Sequence, residues 1–244
     1  MFKDDKFILI IRINYMKISI LIPLYNEEDT VIEILEKVNK QNNETISLEI
    51  IVIDDGSTDG SAELLSKNVQ LYNHFIKLKK NSGKGAAIKE GLKIATGDYI
   101  LFQDADLEYD PNDYSKIFYV IENFNAEVII GSRNLSPDYI RVYNFFHKLG
   151  NKVITGIFNL LNNTTFTDIY SCYLCIKKES VDINKIKSKG WEQHAEILSL
   201  AIQNSTIHYE VPISYSGRTF EEGKKIKGRH VFKVIYMIFK KRIF

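Results

Sequence analysis

Short apolar runs alternate with helix-like segments along the first part of the chain. The first run, residues 17–23, is rich in β-branched residues and leucine, as in a strand buried on both faces of a parallel sheet. The segment that follows places Val31, Ile34, Leu35 and Val38 at the spacing of one helix face. The chain therefore opens with a strand, a loop and a helix, which is the repeating unit of α/β proteins.

The same unit recurs, and its repeats predict the rest of the fold. Further predicted strands are residues 48–53, 74–78, 99–102, 127–130, 171–177 and 206–215, and further predicted helices pass through residues 64–65, 87–95, 114–124 and 145–161 and begin after Trp191. This alternation implies parallel strands, whose following loops gather at the ligand-binding edge of the sheet. With 244 residues and 45% hydrophobic content, the chain fits a single α/β domain with a mostly parallel central sheet flanked by helices.

The predicted helix over residues 145–161 carries a wide apolar stripe. Positions 146, 149, 153, 157 and 160 form one continuous face, which Phe145, Ile154, Phe158 and Leu161 widen. Such a stripe either packs into the core or lies against lipid, and for a soluble protein we expect core packing.

The two ends of the chain fall outside the α/β pattern. Residues 1–15 contain an apolar segment that Arg12 interrupts, without a small-residue cleavage site, so we expect a dispensable extension or a misplaced start codon rather than a signal peptide. Residues 218–244 hold nine Lys and Arg against two Glu, a net charge of +7 in a chain whose total is +1. No run approaches the roughly 18 apolar residues of a membrane-spanning helix.

Residues 230–244 predict a basic amphipathic helix. It either docks on the domain or lies at an anionic membrane surface. The basic side chains available to lipid headgroups would be Lys233, Lys240, Lys241 and Arg242.

The two cysteines, Cys172 and Cys175, form a lone Cys-x-x-Cys without a second pair or suitably spaced histidines. Zinc binding is therefore not expected, and a redox role is a minor alternative. So few cysteines give no disulfide framework, which agrees with a reducing cytosolic setting.

The predicted strand over residues 99–102 is followed by two aspartates, Asp104 and Asp106. In an extended chain this spacing places both carboxylates on one side. At the carboxyl end of a buried strand, such a pair suits a divalent cation that also binds ligand phosphate oxygens. An isolated Asp-x-Asp can instead begin a turn, so the motifs in the neighbouring loops are needed to choose between a metal site and a turn.

Two other loops at the same predicted edge carry suitable groups. Asp55 closes the second strand, where its carboxylate can bind a nucleobase or ribose, or else serve the turn from Gly56 to Gly60. Lys84 lies between two glycines at a predicted helix start, where backbone N–H groups and the ammonium can hold phosphate. This loop lacks the complete P-loop frame, so it is a weak indication when taken alone.

The order of the motifs is more specific than any one of them. In chain order they are Ser19-Ile-Leu-Ile-Pro-Leu-Tyr-Asn-Glu-Glu28, Val52-Ile-Asp-Asp-Gly-Ser-Thr-Asp-Gly60, Asn81-Ser-Gly-Lys-Gly-Ala86, Gln103-Asp-Ala-Asp-Leu-Glu108 and Gly131-Ser-Arg133. Together they resemble family 2 glycosyltransferases, and within them the polyprenyl-phosphate branch of dolichyl-phosphate mannosyl- or glucosyltransferase-like enzymes. The resemblance implies a GT-A (Rossmann-like) catalytic domain over residues 16–229.

The resemblance also implies roles for individual residues. Those that would frame the nucleotide of a GDP- or UDP-sugar are Pro23, Tyr25, Glu27, Ile53 and Asp55. Those that would lie at its diphosphate are Asp104, Ala105 and Asp106, and the implied ligands of Mg²⁺ or Mn²⁺ are Asp106, Glu108 and Asp104. Cationic residues that would meet phosphate groups of donor or acceptor are Lys84, Arg133, Arg218 and Lys224.

The implied reaction is an inverting, metal-dependent transfer of one sugar to a polyprenyl phosphate at the cytoplasmic membrane face. The alternative acceptor is a saccharide hydroxyl, which would need a catalytic base, and Glu196 is the candidate. We expect a peripheral protein held at the inner face by residues 230–244, and no nucleic-acid partner. A nucleotidyltransferase and a non-catalytic nucleotide-sugar-binding protein are the remaining alternatives.

Overall fold

The computed structural model describes residues 16–135, 145–218 and 230–243. The strands and α-helices in these residues are β1 (Met16–Leu24), α1 (Val31–Asn39), β2 (Ile46–Asp54), α2 (Ser61–Lys67), β3 (His74–Lys77), α3 (Lys84–Ile94), β4 (Tyr99–Phe102), α4 (Tyr114–Phe124), β5 (Val128–Ser132), α5 (Phe145–Asn162), β6 (Leu174–Lys177), α6 (Gln193–Gln203), β7 (His208–Pro212) and α7 (His230–Ile243). The predicted extension over residues 1–15 and the predicted phosphate ligand Lys224 lie outside the described residues.

The strands form one sheet in the order β3-β2-β1-β4-β6-β5-β7. Strands β1 to β4 run parallel, β7 runs parallel to β5, and β6 is antiparallel to both β4 and β5. The prediction of a mostly parallel sheet flanked by helices is confirmed. Because all strands except β6 share one direction, their carboxyl ends lie at a single edge.

The direction of β6 follows from the path of the chain. After β5 ends, the chain makes α5 and re-enters the sheet from the same edge, so β6 runs back between β4 and β5. The strand is shorter than the predicted 171–177, because the N–H of Cys172 donates to the Tyr109 hydroxyl instead of to a sheet neighbour. Cys172 and Cys175 are free and buried.

Only one side of the apolar stripe of α5 packs into the core as expected. Ile154 and Phe158 are buried, whereas Leu149, Val153 and Leu160 are exposed, Leu160 by 84%. Polar residues of α5 face inward because they form hydrogen bonds with residues 166–169. These contacts are Asn159 Nδ2 to the Phe166 carbonyl, the Ile169 N–H to Thr155 Oγ1, and Asn151 Nδ2 to the Asp168 carboxylate.

A buried carboxylate, Glu49, ties β1 and β2 to the turn before β4. It accepts hydrogen bonds from Lys17 Nζ at 2.7 Å, from Ser19 Oγ at 2.5 Å and from the Thr96 N–H at 2.8 Å. Burial acts to raise the pKa of Glu49, but these donors outweigh it and lower the pKa from 4.5 to about 2. The cluster stabilises the sheet at the edge opposite to the strand carboxyl ends.

The Glu49→Gln substitution is expected to lower the free energy of unfolding at pH 7 by about 3 kcal/mol, the linkage value of this pKa shift. Because the folded-state pKa is depressed, the stabilisation is complete above the unfolded pKa of 4.5 and is lost as pH falls towards 2. Urea titrations at several pH values should show the gap to wild type closing in that window. The exposed Glu44→Gln is the control, and a gap independent of pH would contradict the assignment.

Candidate active site

A cleft of about 350 Å³ opens at the edge where the parallel strands end, within the size range of small-ligand sites. The loops after β1, β2, β4 and β7 form it together with the start of α3 and the segment before α6. Its lining residues are Pro23, Leu24, Tyr25, Glu27, Asp55, Asn81, Gly83, Lys84, Asp104, Ala105, Asp106, Glu108, Gly190, Trp191, Tyr215 and Arg218.

Lys84 and Asp104 form an ion pair in the cleft. Lys84 Nζ donates to Asp104 Oδ1 and lies 5.3 Å from the centroid of the Trp191 ring. Burial favours the neutral forms of both groups, but their mutual attraction raises the pKa of Lys84 above its ordinary value and lowers that of Asp104. Both groups are therefore charged at neutral pH, and the first aspartate of the motif already has a cation beside it.

Asp106, the second aspartate of the motif, lies in an electrostatically unfavourable position. Burial, followed by repulsion from Asp104 and Glu108, raises its pKa to about 7. The Arg218 guanidinium lies beside it, with Nη2 3.2 Å from Asp106 Oδ2, and also donates to Glu27 Oε2 at 2.8 Å. Since Arg218 is shared with Glu27, the carboxylates outnumber the cations around Asp106 among the residues that the structure describes.

Glu108 holds the segment after β7 against the cleft. Its carboxylate accepts hydrogen bonds from the Arg218 N–H at 2.6 Å and from the Tyr215 hydroxyl at 2.9 Å. Asp104 and Glu108 therefore each have partners of their own. Within the described ranges, no group of three or more His, Cys, Asp or Glu side chains is arranged to hold a metal ion. The implied ligand set of Asp104, Asp106 and Glu108 shares the cleft but does not converge on one point.

Asp55 lies in the wall of the cleft and orders the loop before α3. Its carboxylate oxygens accept hydrogen bonds from the N–H groups of Ser82 and Gly83, both at 2.8 Å. Burial raises its pKa. The turn from Gly56 to Gly60 is instead bound by Asp54, whose Oδ1 accepts a hydrogen bond from the Ser57 N–H at 2.7 Å. Asp55 also faces the space where the nucleotide is expected.

Two predicted donor ligands lie behind the cleft wall. Ile53 is fully buried and packs beneath α3 at Gly91, so it is a core residue and does not frame the cleft. Arg133 donates from Nε and Nη2 to the Asp168 carboxylate at 2.6 and 2.8 Å, and its guanidinium lies 5.0 Å from the centroid of the Tyr215 ring. Its contact with the cleft is indirect, through Tyr215.

The candidate base Glu196 does not line the cleft either. It is fully buried, and its carboxylate accepts hydrogen bonds from the Lys187 and Ser188 N–H groups and pairs with Lys241. His194 is close to Lys84 and Tyr170, and burial followed by repulsion from Lys84 lowers its pKa to about 4. It is therefore a neutral packing residue at pH 7.

The cleft also contains residues to which the sequence assigned no role. Trp191 and Gly190 form one wall, Tyr215 another, and Asn81 contributes from the loop before α3. Trp191 is the single tryptophan of the sequence and follows a glycine at a predicted helix start, and these two features are the sequence signal that could have identified it as a cleft residue.

The family model described as "Glycosyl transferase family 2" matches residues 19–182, which is more than half of the chain. The chain belongs to glycosyl transferase family 2. Within this family it is similar to a dolichol-phosphate mannosyltransferase from Pyrococcus furiosus, with 28% identity over 228 residues, which is 92% of this chain and 63% of the relative. It is also 28% identical over 212 residues to an undecaprenyl-phosphate 4-deoxy-4-formamido-L-arabinose transferase from Photorhabdus laumondii subsp. laumondii, covering 85% of this chain and 62% of that protein.

The chain thus spans less than two thirds of the length of these two curated relatives. The chain is also similar in fold to a solved structure, glucosyl-3-phosphoglycerate synthase from Mycobacterium tuberculosis in complex with Mn²⁺, UDP and phosphoglyceric acid. It has a TM-score of 0.69 and 15% identity, and the match covers 93% of this chain and 79% of that one. The GT-A fold expected from the motifs is confirmed.

Proposed function

We propose that this family 2 glycosyltransferase moves one sugar from a GDP- or UDP-sugar to a polyprenyl phosphate with inversion at the anomeric carbon. The observation that carries the proposal is the convergence, in one cleft, of loops that lie far apart in the sequence. They bring Asp55, Lys84, Asp106 and Arg218 to the carboxyl edge of the sheet, where α/β folds bind nucleotides. The names of the two relatives contain dolichol phosphate and undecaprenyl phosphate.

The charge of the cleft suits a divalent cation, Mg²⁺ or Mn²⁺. The pKa of Asp106 is raised to about 7 by burial and by two carboxylate neighbours, which is an excess of negative charge that a cation would relieve. Asp106 would hold the cation, with Glu108 and Asp104 beside it, and donor phosphate oxygens suit the remaining positions. When bound, the cation would neutralise the charge of the departing nucleoside diphosphate.

Cationic side chains of the protein also lie where the donor diphosphate is proposed to bind. Lys84 Nζ and the Arg218 guanidinium lie on either side of the Asp104–Asp106 motif, held by Asp104 and Glu27 respectively. Their positive charge stabilises the diphosphate both in the bound donor and as the leaving group. The Lys84 ammonium lies over the Trp191 ring, 5.3 Å from the ring centroid, in a cation–π contact that helps to hold Lys84 in place.

A phosphate acceptor does not need the base that the sequence indicated for a hydroxyl acceptor. An ionised phosphate oxygen forms its bond to the anomeric carbon as the bond to the donor diphosphate breaks, and no proton has to be removed. A saccharide hydroxyl needs a base, and the candidate Glu196 is buried outside the cleft. This position of Glu196 favours the polyprenyl phosphate.

Two helices supply a surface suited to the inner face of a membrane. On α7, Phe232 and Tyr236 are exposed by 78% and 65%, next to the exposed Lys233 and Lys240. Helix α5 packs beside α7 and presents its own outward apolar stripe. Apolar side chains mixed with lysines are typical of interfacial helices that bind anionic lipid. In the part of the chain that the structure describes, no helix has both the length and the apolarity to cross a bilayer.

The proposal is tested by incubating the protein with Mn²⁺, radiolabelled GDP- or UDP-sugars and anionic vesicles that contain a polyprenyl phosphate. We expect labelled lipid with one donor, loss of the product when EDTA is added, and co-flotation of the protein with these vesicles but not with neutral ones. Parallel reactions receive soluble saccharides instead of the lipid. Label that enters saccharides and never enters lipid would overturn the acceptor assignment. Protein that floats equally with neutral vesicles, or that floats with no vesicles at all, would overturn the membrane assignment.

A further inference from the structure

Lys241, near the end of α7, points into the domain. Its Nζ donates to Glu196 Oε1 at 2.8 Å and to the Lys185 carbonyl at 2.8 Å, and its side chain is only 16% exposed. The sequence suggested that this lysine would be available to lipid headgroups together with Lys240, and the structure corrects that prediction for Lys241. The neighbouring Lys240 is exposed.

Glu196 in turn binds the backbone of residues 185–191, the segment before α6. Its carboxylate accepts hydrogen bonds from the N–H groups of Lys187 at 3.0 Å and Ser188 at 2.8 Å. Burial acts to raise the pKa of Glu196, but Lys241 and the Ser188 N–H outweigh it and lower the pKa, so the carboxylate is ionised. The segment is thus bound to a buried charge whose counter-ion comes from α7.

The segment 185–191 is in turn closely packed against the start of α3. The N–H of Gly85 donates to the Lys189 carbonyl at 2.9 Å, and Lys89 Nζ donates to the Ile186 carbonyl at 2.8 Å. A Cβ on Gly83 would lie 2.5 Å from the Lys189 carbonyl oxygen, and Gly83 itself has a φ of +96°. With no spare space between them, a shift of the segment has to move the start of α3.

Both ends of this contact reach the cleft. Gly190 and Trp191, at the end of the segment, and Gly83 and Lys84, at the start of α3, line it. The Trp191 ring lies against the Lys84 ammonium, which is paired with Asp104. A continuous series of contacts therefore leads from Lys241 to the donor side of the cleft.

We propose that Lys241 and Glu196 form a positioning ion pair, through which the C-terminal helix sets the geometry of Lys84 and Trp191 for binding of the donor diphosphate. The inference rests on the proposed function of the cleft. Neither residue touches the donor. Their effect is on donor affinity, and the acceptor side is unaffected.

The test uses Lys241→Met and Glu196→Gln, each of which removes one charge and keeps most of the side-chain volume. We expect the KM for the nucleotide sugar to rise about 10-fold, with kcat changed by less than about 3-fold and the acceptor KM unchanged. Lys241→Arg should restore most of the affinity. The control is Lys67→Met, which breaks an exposed Lys–Glu pair on α2 far from this segment.

Trp191 gives a readout that does not depend on turnover, because it is the only tryptophan of the chain. In the nucleotide-free protein, Lys241→Met and Glu196→Gln should shift its emission and increase its quenching by acrylamide, and Lys67→Met should leave both unchanged. If the two variants match Lys67→Met in emission and quenching, the positioning role is wrong. If only the proposed donor is wrong, wild type fails to bind GDP or UDP, while the difference in Trp191 quenching between variants persists.

Discussion

The Asp106→Asn protein is expected to fold normally and to lose at least about 1,000-fold in kcat for sugar transfer. The substitution is isosteric, but an amide can neither bind a divalent cation as a carboxylate does nor balance its charge. The loss should persist at saturating Mn²⁺ or Mg²⁺ and at saturating donor. It is measured as initial rates of labelled-sugar transfer, with donor binding followed separately through Trp191 fluorescence.

The stability of the same variant separates a chemical role from a structural one. Asp106 is repelled by Asp104 and Glu108, so its neutral replacement should leave the metal-free melting temperature unchanged or raise it. Stabilisation by Mn²⁺ together with the nucleotide should disappear. Asp29→Asn, the same chemical change at an exposed position outside the cleft, is the control. Full metal-dependent activity in Asp106→Asn would refute the assigned role.

The largest expected effect on stability is that of Arg133→Met, which should lower the free energy of unfolding by about 3–5 kcal/mol. The substitution leaves the Asp168 carboxylate fully buried with its bidentate partner removed, and the hydrogen bond from Asn151 Nδ2 does not replace a charge. Chemical denaturation at pH 7 measures the loss.

A double variant, Arg133→Met with Asp168→Leu, identifies the cause of that loss. It should recover much of the stability, because two apolar side chains avoid the unpaired buried charge. Burial acts to raise the pKa of Asp168 and Arg133 outweighs it, so the pair stabilises wild type above the ordinary pKa of 3.8 and loses effect as pH falls below it. The gap between wild type and Arg133→Met should therefore narrow in acid. A loss under about 1 kcal/mol at pH 7 would mean that the ion pair contributes little.

The side of the cleft that we propose binds the donor was predictable, because its residues lie in short motifs directly after β1, β2 and β4. Parallel strands end at one edge, so Glu27, Asp55 and Asp106 had to come together once the strands were identified. Lys84 followed from the same rule, since α3 begins at that edge.

The opposite wall was not predictable, because it depends on which segments pack across the cleft. Trp191 reaches it from the segment between β6 and α6, and Tyr215 from the loop after β7, and local periodicity does not give the order β4-β6-β5-β7 that sets these segments across the cleft. Charged partners were missed for a related reason. Nothing in the sequence around Glu196 indicates that Lys241 will be its counter-ion, and nothing around Arg133 indicates Asp168.

Helix α5 shows how a correct periodicity can predict too wide a buried face. Its apolar positions are regularly spaced, and periodicity alone assigns the whole apolar face to the core. Asn151, Thr155 and Asn159 hydrogen-bond to residues 166–169, so part of the inward face is polar. Ile154 and Phe158 remain buried, and Leu149, Val153 and Leu160 are exposed.

The two cysteines make the protein well suited to site-directed labelling. Both are buried, and burial raises the pKa of both thiols, so neither reacts readily with maleimides or spin labels. Because the whole chain contains no other cysteine, one introduced in place of Phe232 or Tyr236 would be the single reactive thiol. A nitroxide attached there would report, through its accessibility to oxygen and to water-soluble relaxation agents, how deeply α7 enters a bilayer, without any change to the native residues of the cleft.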